Sequence, residues 1–547
     1  MSSAVPVPRP AHRTADLVLV GGEVRTMDPA HPHATAIAVD DGKVVAVGSD
    51  AEIAPWIDTG TKQIALAGAT VTPGLIDAHC HLYGLGVDGE SISVRNAATA
   101  VAAAELVAAQ VSTRAPNEWL IGRGWDQNRW PGQTFPTRAT LDAVIADRPV
   151  MLRRIDGHAI WVNSKALALA NITKATKDPA GGKIVRDAKG EPTGVLIDNA
   201  IDLVERVVPA PSPQVRERRI LAAAEKAVAA GITGVHEMGI EPETAAVYEK
   251  LAREGKLPLR VYALLAGDPS KPEQLSEAPR PAVGRFEMRA VKFFADGALG
   301  SRGARLAAPY DDDPKNLGLW VTEPAQLTAA VTNASAHGWQ VGVHAIGDAG
   351  VGAVLDAFAA AKAEADVRAE APRELRPRIE HVQVIAPADV ERMAAVKAIA
   401  SMQPTHATSD MPWAEQRLGK QRILGAYAWR TMLDHHIPLA AGSDFPIEEV
   451  APLLGLYAAV TRQDAEGTPA GGWYPAQRLT LDEAIAAFTS GAAYAQFAEH
   501  TLGTIAVGRT ADLTVFDRPL AAARSLLATG VAYTIVDGAI VYERPKP

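Results

Sequence analysis

The chain has 547 residues, of which 48% are hydrophobic and 21% are charged. This composition is ordinary for a globular protein, and it excludes a largely disordered chain, a collagen-like fibre and a polytopic membrane protein. The length exceeds what one hydrophobic core usually fills, so we expect a large catalytic body with attached units. The formal net charge is -9 and no basic stripe could neutralise several phosphates, so no nucleic acid partner is expected.

The single cysteine and the N-terminal segment indicate the compartment. Cys80 cannot form an internal disulfide, which fits a reducing environment. Residues 1–14 are rich in proline and show no hydrophobic periodicity, so they predict a flexible tail without an apolar targeting segment. We expect a soluble, cytoplasmic protein that does not associate with membranes.

The two ends of the ordered sequence both show hairpin patterns. Residues 15–71 alternate short Val/Ile/Ala-rich runs with Asp-Gly and Gly-Gly turn signals, and residues 502–547 repeat this pattern. Each segment is too small to bury a hydrophobic core alone. The two segments are therefore predicted to form one composite β-sandwich.

Residues 72–501 alternate apolar strands with Ala-rich helical segments, which predicts an α/β fold built on a (β/α)8 TIM barrel. About 150 residues separate His81 from Gly231, far more than a strand-to-helix connection needs. A subdomain inserted at about 82–225, after the first barrel strand, is expected to cover the barrel mouth and to contact the substrate. The candidate barrel strands are 72–80, 232–237, 259–265, 290–295, 340–345, 377–382, 398–403 and 438–443.

Six side chains at the predicted strand ends carry the candidate chemistry, because (β/α)8 barrels place their reactive groups there. His79 and His81 are two residues apart on an extended strand, so both imidazoles point the same way and can hold one cation. A lone histidine at a strand end is more often a hydrogen-bonded core residue, but this combination indicates a metal site. The six candidate ligands are His79, His81, Lys292, His344, His381 and Asp444.

Longer motifs accompany these residues. They include GRGWDQNRWPG, RIDGHAIWVNSKAL, VKFFADGALGSRGARL and HAIGDAGVGAVLDAF. Together with the order HxH, Lys, His, His, Asp over the predicted barrel, they make the chain resemble the amidohydrolase superfamily. Within it the chain is similar to the YtcJ-like branch (amidohydrolase family 3), which includes N-substituted formamide deformylases. The resemblance extends from Ala15 to the C-terminal hairpin.

The resemblance implies two Zn²⁺ ions per chain, bridged by a carboxylated Lys292. A protonated ammonium beside metal cations is electrostatically unfavourable, so Lys292 must be neutral, displaced or converted to a carbamate. The alternative is that Lys292 pairs with an acid such as Asp296 and that one metal binds. Asp444 is expected to accept a proton from the metal-activated water and to return it to the departing nitrogen.

Further residues are candidates for contacts with the substrate. His158 in the insertion and His236 at the second barrel strand are candidate catalytic residues that could hydrogen-bond the carbonyl or the oxyanion, and a structural role is the alternative for each. The resemblance also implies four pocket residues, although aromatic residues in loops are as often local packing. These four are Trp125, Asp126, Asp296 and Trp413.

We therefore expect a metal-dependent hydrolase that cleaves a linear amide C–N bond, with an N-substituted formamide or another N-acyl amine as its small-molecule substrate. The alternative enzymes are cyclic amide hydrolases and aminohydrolases (deaminases); the deaminases generally lack the bridging lysine. A non-catalytic scaffold is a third alternative, but it would be expected to lose metal ligands, and all six are present. The resemblance is compatible with a homodimer, but no sequence pattern identifies an interface, so the oligomeric state stays open.

Overall fold

The computed structural model describes residues 14–113, 118–367, 374–520 and 523–545. The predicted flexible tail, residues 1–14, lies outside the described residues except for its last position. Over the four described ranges, no helix combines the length and the apolar content that a membrane crossing needs.

The N-terminal segment consists of short strands joined by tight turns. Asp41 and Gly42, between the fourth and fifth strands, both have positive φ (47° and 72°), as a two-residue type I′ hairpin turn requires. The elements are β1 Leu17–Val20, β2 Glu23–Arg25, β3 His33–Ala34, β4 Ala36–Asp40, β5 Lys43–Gly48, α1 Asp50–Ile53, β6 Lys62–Ala65 and β7 Thr70–Pro73.

The first barrel strand and the inserted subdomain follow. The insertion separates two barrel strands that are neighbours in space. The elements are β8 Leu75–Cys80, α2 Leu82–Glu90, β9 Ile92–Ser93, α3 Ala100–Ala108, β10 Leu120–Trp125, α4 Arg138–Asp142, β11 Val150–Arg154, β12 Ala159–Val162, α5 Ser164–Leu169, β13 Gly182–Arg186, β14 Pro192–Asp198 and α6 Asp202–Glu205.

The insertion has a hydrophobic core of its own. Its strands form one mixed six-stranded sheet in the order β13-β14-β12-β11-β10-β9. Trp125, Trp130 and Trp161 pack together on this sheet, with ring centroids 6.2, 6.3 and 6.4 Å apart. Burial of such large aromatic rings stabilises the insertion as a separate unit.

The remaining barrel strands alternate with helices. The first of these helices begins where the sequence supplies a cap: Ser212 accepts a hydrogen bond from the backbone of Val215, and Pro213 occupies the first helical position. The elements are α7 Pro213–Ala229, β15 Ile232–Ile240, α8 Pro242–Arg253, β16 Arg260–Ala266, β17 Phe286–Phe294, α9 Pro324–Ala336, β18 Gln340–Ala345, α10 Asp348–Val367, β19 Arg378–His381, α11 Pro387–Ala395, β20 Ile399–Met402, α12 Pro404–Asp410, α13 Ala414–Arg422, α14 Trp429–Asp434, β21 Leu439–Ala441, α15 Pro452–Thr461, α16 Leu481–Ala487 and α17 Ser490–Ala495.

Eight parallel strands form a nearly closed barrel in the order β8-β15-β16-β17-β18-β19-β20-β21. All residues of β8 and β18 are buried, as expected for strands with the barrel interior on one face and helices on the other. This confirms the predicted (β/α)8 barrel.

The chain ends in three strands that return to the N-terminal segment. They complete a six-stranded sheet in the order β24-β23-β22-β7-β2-β3, which faces the four-stranded sheet β5-β4-β1-β6. Leu19 and Val39 from one sheet share a buried cluster with Val71 and Leu513 from the other, so both termini contribute to one core. The elements are β22 Leu513–Phe516, α18 Ala523–Ala528, β23 Val531–Val536 and β24 Ala539–Glu543.

Candidate metal centre

Several predicted ligands lie together at one end of the barrel. His79 lies in β8 and His81 directly follows it, His344 lies in β18 and His381 ends β19. Asp444 lies shortly after β21. Because the barrel strands are parallel, their carboxyl ends meet at the same mouth, which is where such barrels carry their active sites.

A buried carboxylate fixes the tautomer of His79. Its Nδ1 lies 2.7 Å from Glu380 Oε2, and Glu380 forms an ion pair of 2.8 Å with Arg378. His79 therefore donates from Nδ1 and keeps a lone pair on Nε2, which is buried and has no hydrogen-bond partner among the residues that the structure describes. Burial, reinforced by the charge of Lys292, lowers the pKa of His79 to about 4. The resulting neutral imidazole suits a metal ligand.

His81 and His381 have the same polarity as His79. Nδ1 of His81 lies 3.2 Å from the carbonyl oxygen of Met238, and Nδ1 of His381 lies 2.8 Å from Oε1 of Gln403. The Gln403 amide is oriented by its Nε2, which donates to the carbonyl oxygen of Ser401 at 3.2 Å. Both imidazoles thus donate from Nδ1 and leave a lone pair on Nε2.

Asp444 brings a negative charge to these imidazoles. Nε2 of His81 lies 3.2 Å and Nε2 of His79 lies 3.6 Å from its Oδ1, which is a buried oxygen without a hydrogen-bond partner in the described part of the chain. The ligand atoms of His79, His381 and Asp444 all lie within 4.8 Å of one another. Neutral imidazoles and a carboxylate, with buried atoms left unpaired, fit a divalent transition metal such as zinc.

The backbone around Asp444 is held against β8. The Asp444 amide donates to the carbonyl oxygen of His79 at 2.7 Å. A Cβ atom at Gly442 would lie 2.4 Å from the backbone nitrogen of His79, so only glycine permits this approach. Asp444 and His381 both have left-handed backbones, with φ of 62° and 74°. Such strained conformations at two candidate ligands are typical of a functional site.

His344 and His158 extend the group of imidazoles towards the insertion. The His344 ring centroid lies 4.7 Å from that of His381 and 4.9 Å from that of His158. His158 comes from the insertion, and its Nδ1 lies 2.8 Å from Asp198 Oδ1. Although burial opposes it, the hydrogen bond and charge of Asp198 raise the pKa of His158. The insertion therefore delivers a basic side chain to the barrel mouth.

Lys292 lies beside the histidines, in β17. Its side chain is buried, and its Nζ lies 5.2 Å from the ring centroid of Phe294. Its positive charge contributes to lowering the pKa of His79, His344 and His381. Burial lowers the pKa of Lys292 itself to about 8. Carboxylation of its amine stays a prediction.

Comparison with known proteins decides the family. The profile of the amidohydrolase family matches residues 62–542. The chain belongs to this family. The amidohydrolase is 37% identical to the putative amidohydrolase YtcJ of Bacillus subtilis over 535 residues, covering 96% of this chain and 99% of that protein.

Two further relatives support the assignment. The N-substituted formamide deformylase of Arthrobacter pascens is 28% identical over 551 residues, covering 97% of this amidohydrolase and 98% of the relative. The crystal structure of an uncharacterized metal-dependent hydrolase from Pyrococcus furiosus aligns with a TM-score of 0.71 and 28% identity, over 92% of this chain and 99% of that chain. The resemblance seen in the sequence motifs is thereby confirmed.

His236 lies beneath the metal-ligand candidates of the amidohydrolase, inside the barrel. Its side chain is fully buried, and its Nδ1 accepts a hydrogen bond of 2.8 Å from Nη1 of Arg378. Arg378 also binds Glu380, the partner of His79. This placement favours a structural role for His236 over the predicted contact with an oxyanion.

Trp125 and Asp126 do not lie among the metal-ligand candidates. Trp125 is fully buried in the insertion core, and its Nε1 donates to the carbonyl oxygen of Leu152 at 2.7 Å. Asp126 forms an ion pair of 2.6 Å with Arg154. A motif gives the identity of a residue but not the face of the sheet on which it lies. The structure therefore favours a local packing role for Trp125 over the predicted role in the pocket.

Asp296 and Trp413 contact backbone and arginine groups. Asp296 accepts hydrogen bonds from the backbone amides of Ile346, Gly347 and Arg305 at 3.0, 2.8 and 2.7 Å. Among the described residues the ion-pair contact of Asp296 is with His344 Nε2, at 3.8 Å, so its pairing with Lys292 is not supported. Trp413 is half-buried, and its ring lies 4.7 Å from the guanidinium carbon of Arg417.

His406, which is not among the residues predicted from the sequence, lies near the start of α12 after the seventh barrel strand. Its Nε2 lies 3.5 Å from Asp444 Oδ2, and its Nδ1 lies 3.1 Å from Nε2 of Gln383. A histidine just beyond a barrel strand, in QPTHA, was the signal available in the sequence. Glu380, adjacent to His381, was also missed.

Proposed function

We propose that this amidohydrolase is a metal-dependent hydrolase that cleaves a linear amide C–N bond, in an N-substituted formamide or another N-acyl amine. The observation that carries the proposal is the group formed by His79, His381 and Asp444, in which buried atoms of His79 and Asp444 have no hydrogen-bond partner within the described ranges. The full-length similarity to an N-substituted formamide deformylase supports the choice of a linear amide.

The proposed ligands fit zinc by their chemistry. His79, His81 and His381 each offer Nε2 with a lone pair, and Asp444 supplies the negative charge. A divalent cation held by these residues would lower the pKa of a water molecule and polarise a carbonyl oxygen. We propose a second ion that involves His344 and a carboxylated Lys292, which is the bridge expected from the sequence.

Asp444 is the proposed proton carrier of the reaction. As the water oxygen bonds to the carbonyl carbon, Asp444 accepts one of its protons. As the C–N bond breaks, Asp444 returns that proton to the nitrogen, so the products are a carboxylic acid, formic acid for a formamide, and an amine. Because Oδ1 of Asp444 accepts no hydrogen bond from the described residues, it is free to take this proton.

His158 is the proposed contact for the substrate carbonyl. Its Nδ1 is occupied by Asp198, so its other ring nitrogen is available to the barrel mouth. A cationic or hydrogen-bonding imidazole stabilises the negative charge that develops on the carbonyl oxygen. In this proposal the insertion contributes His158, and the barrel contributes the metal ligands and Asp444.

A substrate panel tests the proposal. Zinc-loaded enzyme is incubated with N-formyl, N-acetyl, carbamate and cyclic amide compounds, and release of primary amine is measured. Amine release from formamides or other linear amides supports the proposal. Turnover restricted to rings or to deamination overturns it in favour of a cyclic amidase or an aminohydrolase. Failure to retain stoichiometric metal after dialysis would instead support a non-catalytic scaffold.

A further inference from the structure

His406 faces the proposed proton carrier from the side opposite His81. It lies in α12, which begins at Pro404 directly after β20, and its side chain is 9% exposed. Its Nε2 lies 3.5 Å from Asp444 Oδ2, whereas His81 and His79 approach Oδ1. The two oxygens of Asp444 therefore face different groups.

A glutamine determines the tautomer of His406. Nε2 of Gln383 lies 3.1 Å from Nδ1 of His406. An amide nitrogen donates, so Nδ1 of His406 accepts and the proton of the neutral ring is on Nε2. The resulting N–H group is buried and has no hydrogen-bond partner among the described residues, and its nitrogen lies 3.5 Å from Asp444 Oδ2. A buried donor left unpaired costs free energy, so a partner in the working enzyme is expected.

His406 is thus opposite in polarity to three of the four candidate histidine ligands; the fourth, His344, has its Nε2 3.3 Å from the carbonyl oxygen of Gly297. His79, His81 and His381 donate from Nδ1 to oxygen atoms and have a lone pair on Nε2. His406 accepts at Nδ1 and donates from Nε2, so it is not suited to coordinate a cation through Nε2. Two glutamines account for the difference: Gln403 presents Oε1 to His381, and Gln383 presents Nε2 to His406.

We propose that His406 is a positioning residue that donates its Nε2–H to Oδ2 of Asp444 and keeps Oδ1 turned towards His79 and His81. Gln383 supports this role by holding the tautomer. The inference rests on the proposed function, in which Asp444 carries the proton. A carboxylate anchored through one oxygen presents the other in a fixed direction, which is the preorganisation that proton transfer requires.

The tautomer is tested first and without any substrate. The protein is labelled with ¹⁵N-histidine, the His406 signals are assigned by their loss in His406→Gln, and ¹⁵N–¹H correlation spectra show which ring nitrogen carries the proton. A proton on Nε2 supports the inference, and its presence on Nδ1 overturns it. This measurement does not depend on turnover. It therefore decides the tautomer of His406 even if the proposed hydrolase function is wrong.

Variants test the positioning role. His406→Leu is expected to lower kcat by about 10- to 100-fold with KM changed less than about 3-fold, the size expected for one hydrogen bond to a charged group. His406→Gln retains an N–H donor and should recover part of that loss. Metal content by mass spectrometry should equal that of wild type in both variants. Loss of metal in His406→Leu would make His406 a ligand and overturn the inference.

His500→Leu is the matched control, because that side chain is 88% exposed and lies outside the barrel mouth. It is expected to retain wild-type kcat and metal content. If His406→Leu also retained wild-type kcat, or if His406→Gln were no better than His406→Leu at equal metal content, Asp444 would not depend on this donor.

Discussion

The imidazole of His79 and the carboxylate of Glu380 form a buried pair, 2.7 Å apart, that joins the first and sixth strands of the barrel. Both side chains are almost completely excluded from solvent, at 1% and 0% exposure. Arg378 binds the other oxygen of Glu380. Burial alone would raise the pKa of Glu380, but the positive charge of Arg378 keeps that pKa well below the usual range. Glu380 is therefore ionised and orients His79.

Glu380→Gln is expected to weaken metal binding about 10- to 100-fold, because an amide neither holds the His79 tautomer as firmly nor increases its basicity. The affinity is measured by competition with a zinc chelator. The matched control is Glu391→Gln: Glu391 pairs with His435 at 2.9 Å but is 76% exposed. Equal affinities for the two variants would show that the buried pair does not orient a ligand.

The same substitution is expected to destabilise the protein. Glu380→Gln leaves the fully buried Arg378 without its counter-charge, and breaking a buried ion pair in this way costs about 3–5 kcal/mol. The thermal midpoint of unfolding of the metal-free protein is compared with that of wild type, so that metal binding does not contribute. An unchanged midpoint would indicate that Arg378 finds sufficient compensation from its bonds to Ala78 and Ser401.

Asp444→Asn is expected to retain metal and to lose at least about 100-fold in kcat, because an amide cannot carry the proton from water to nitrogen. The metal content of the purified variant and its steady-state rates on the best linear amide are measured together. Full activity with wild-type metal content would exclude Asp444 as the base. Loss of metal in the variant would instead indicate that Asp444 acts mainly as a metal ligand.

Lys292→Met is expected to reduce the metal content from two ions to one per chain, since the predicted bridge is removed while His79, His381 and Asp444 remain. Methionine has a similar volume, so the buried site is filled without a charge. Metal is counted on protein loaded with zinc in the presence of bicarbonate. One ion per chain in the wild type, with unmodified Lys292 in an electron-density map, would contradict the predicted bridge.

The sequence predicted the barrel because its strands differ in composition from everything around them. Each is a short apolar run, five of the eight have a candidate ligand in the strand or just after it, and β18, 340–345, lies where the pattern placed it. The ligand candidates could be found because the strand ends of a barrel converge on one mouth. Contacts between side chains of different strands could not be predicted, because spacing along the chain does not show that Glu380 contacts His79 or that Gln383 contacts His406.

The contacts that hold the insertion on the barrel also could not be predicted from the sequence. Arg417 of α13 is 3% exposed, and its Nη2 lies 2.8 Å from Oδ1 of Asn128 in the insertion and 3.0 Å from the carbonyl oxygen of Gly300 after β17. It also lies 3.3 Å from Asp312. One guanidinium thus joins three segments around the barrel mouth, which only the folded arrangement brings together.

Arg417→Met is therefore expected to lower the free energy of unfolding by about 1.5–3 kcal/mol, the range for buried hydrogen bonds to a charged group. Methionine retains much of the packing against Trp413 but removes the donors to Asn128 and Gly300. Stability is measured by thermal unfolding, and loosening of the insertion is measured by the rate of limited proteolysis between residues 82 and 225. Arg129→Met, at a side chain that is 70% exposed in the insertion, is the control. If both variants unfolded and were cleaved like wild type, Arg417 would not hold the insertion on the barrel.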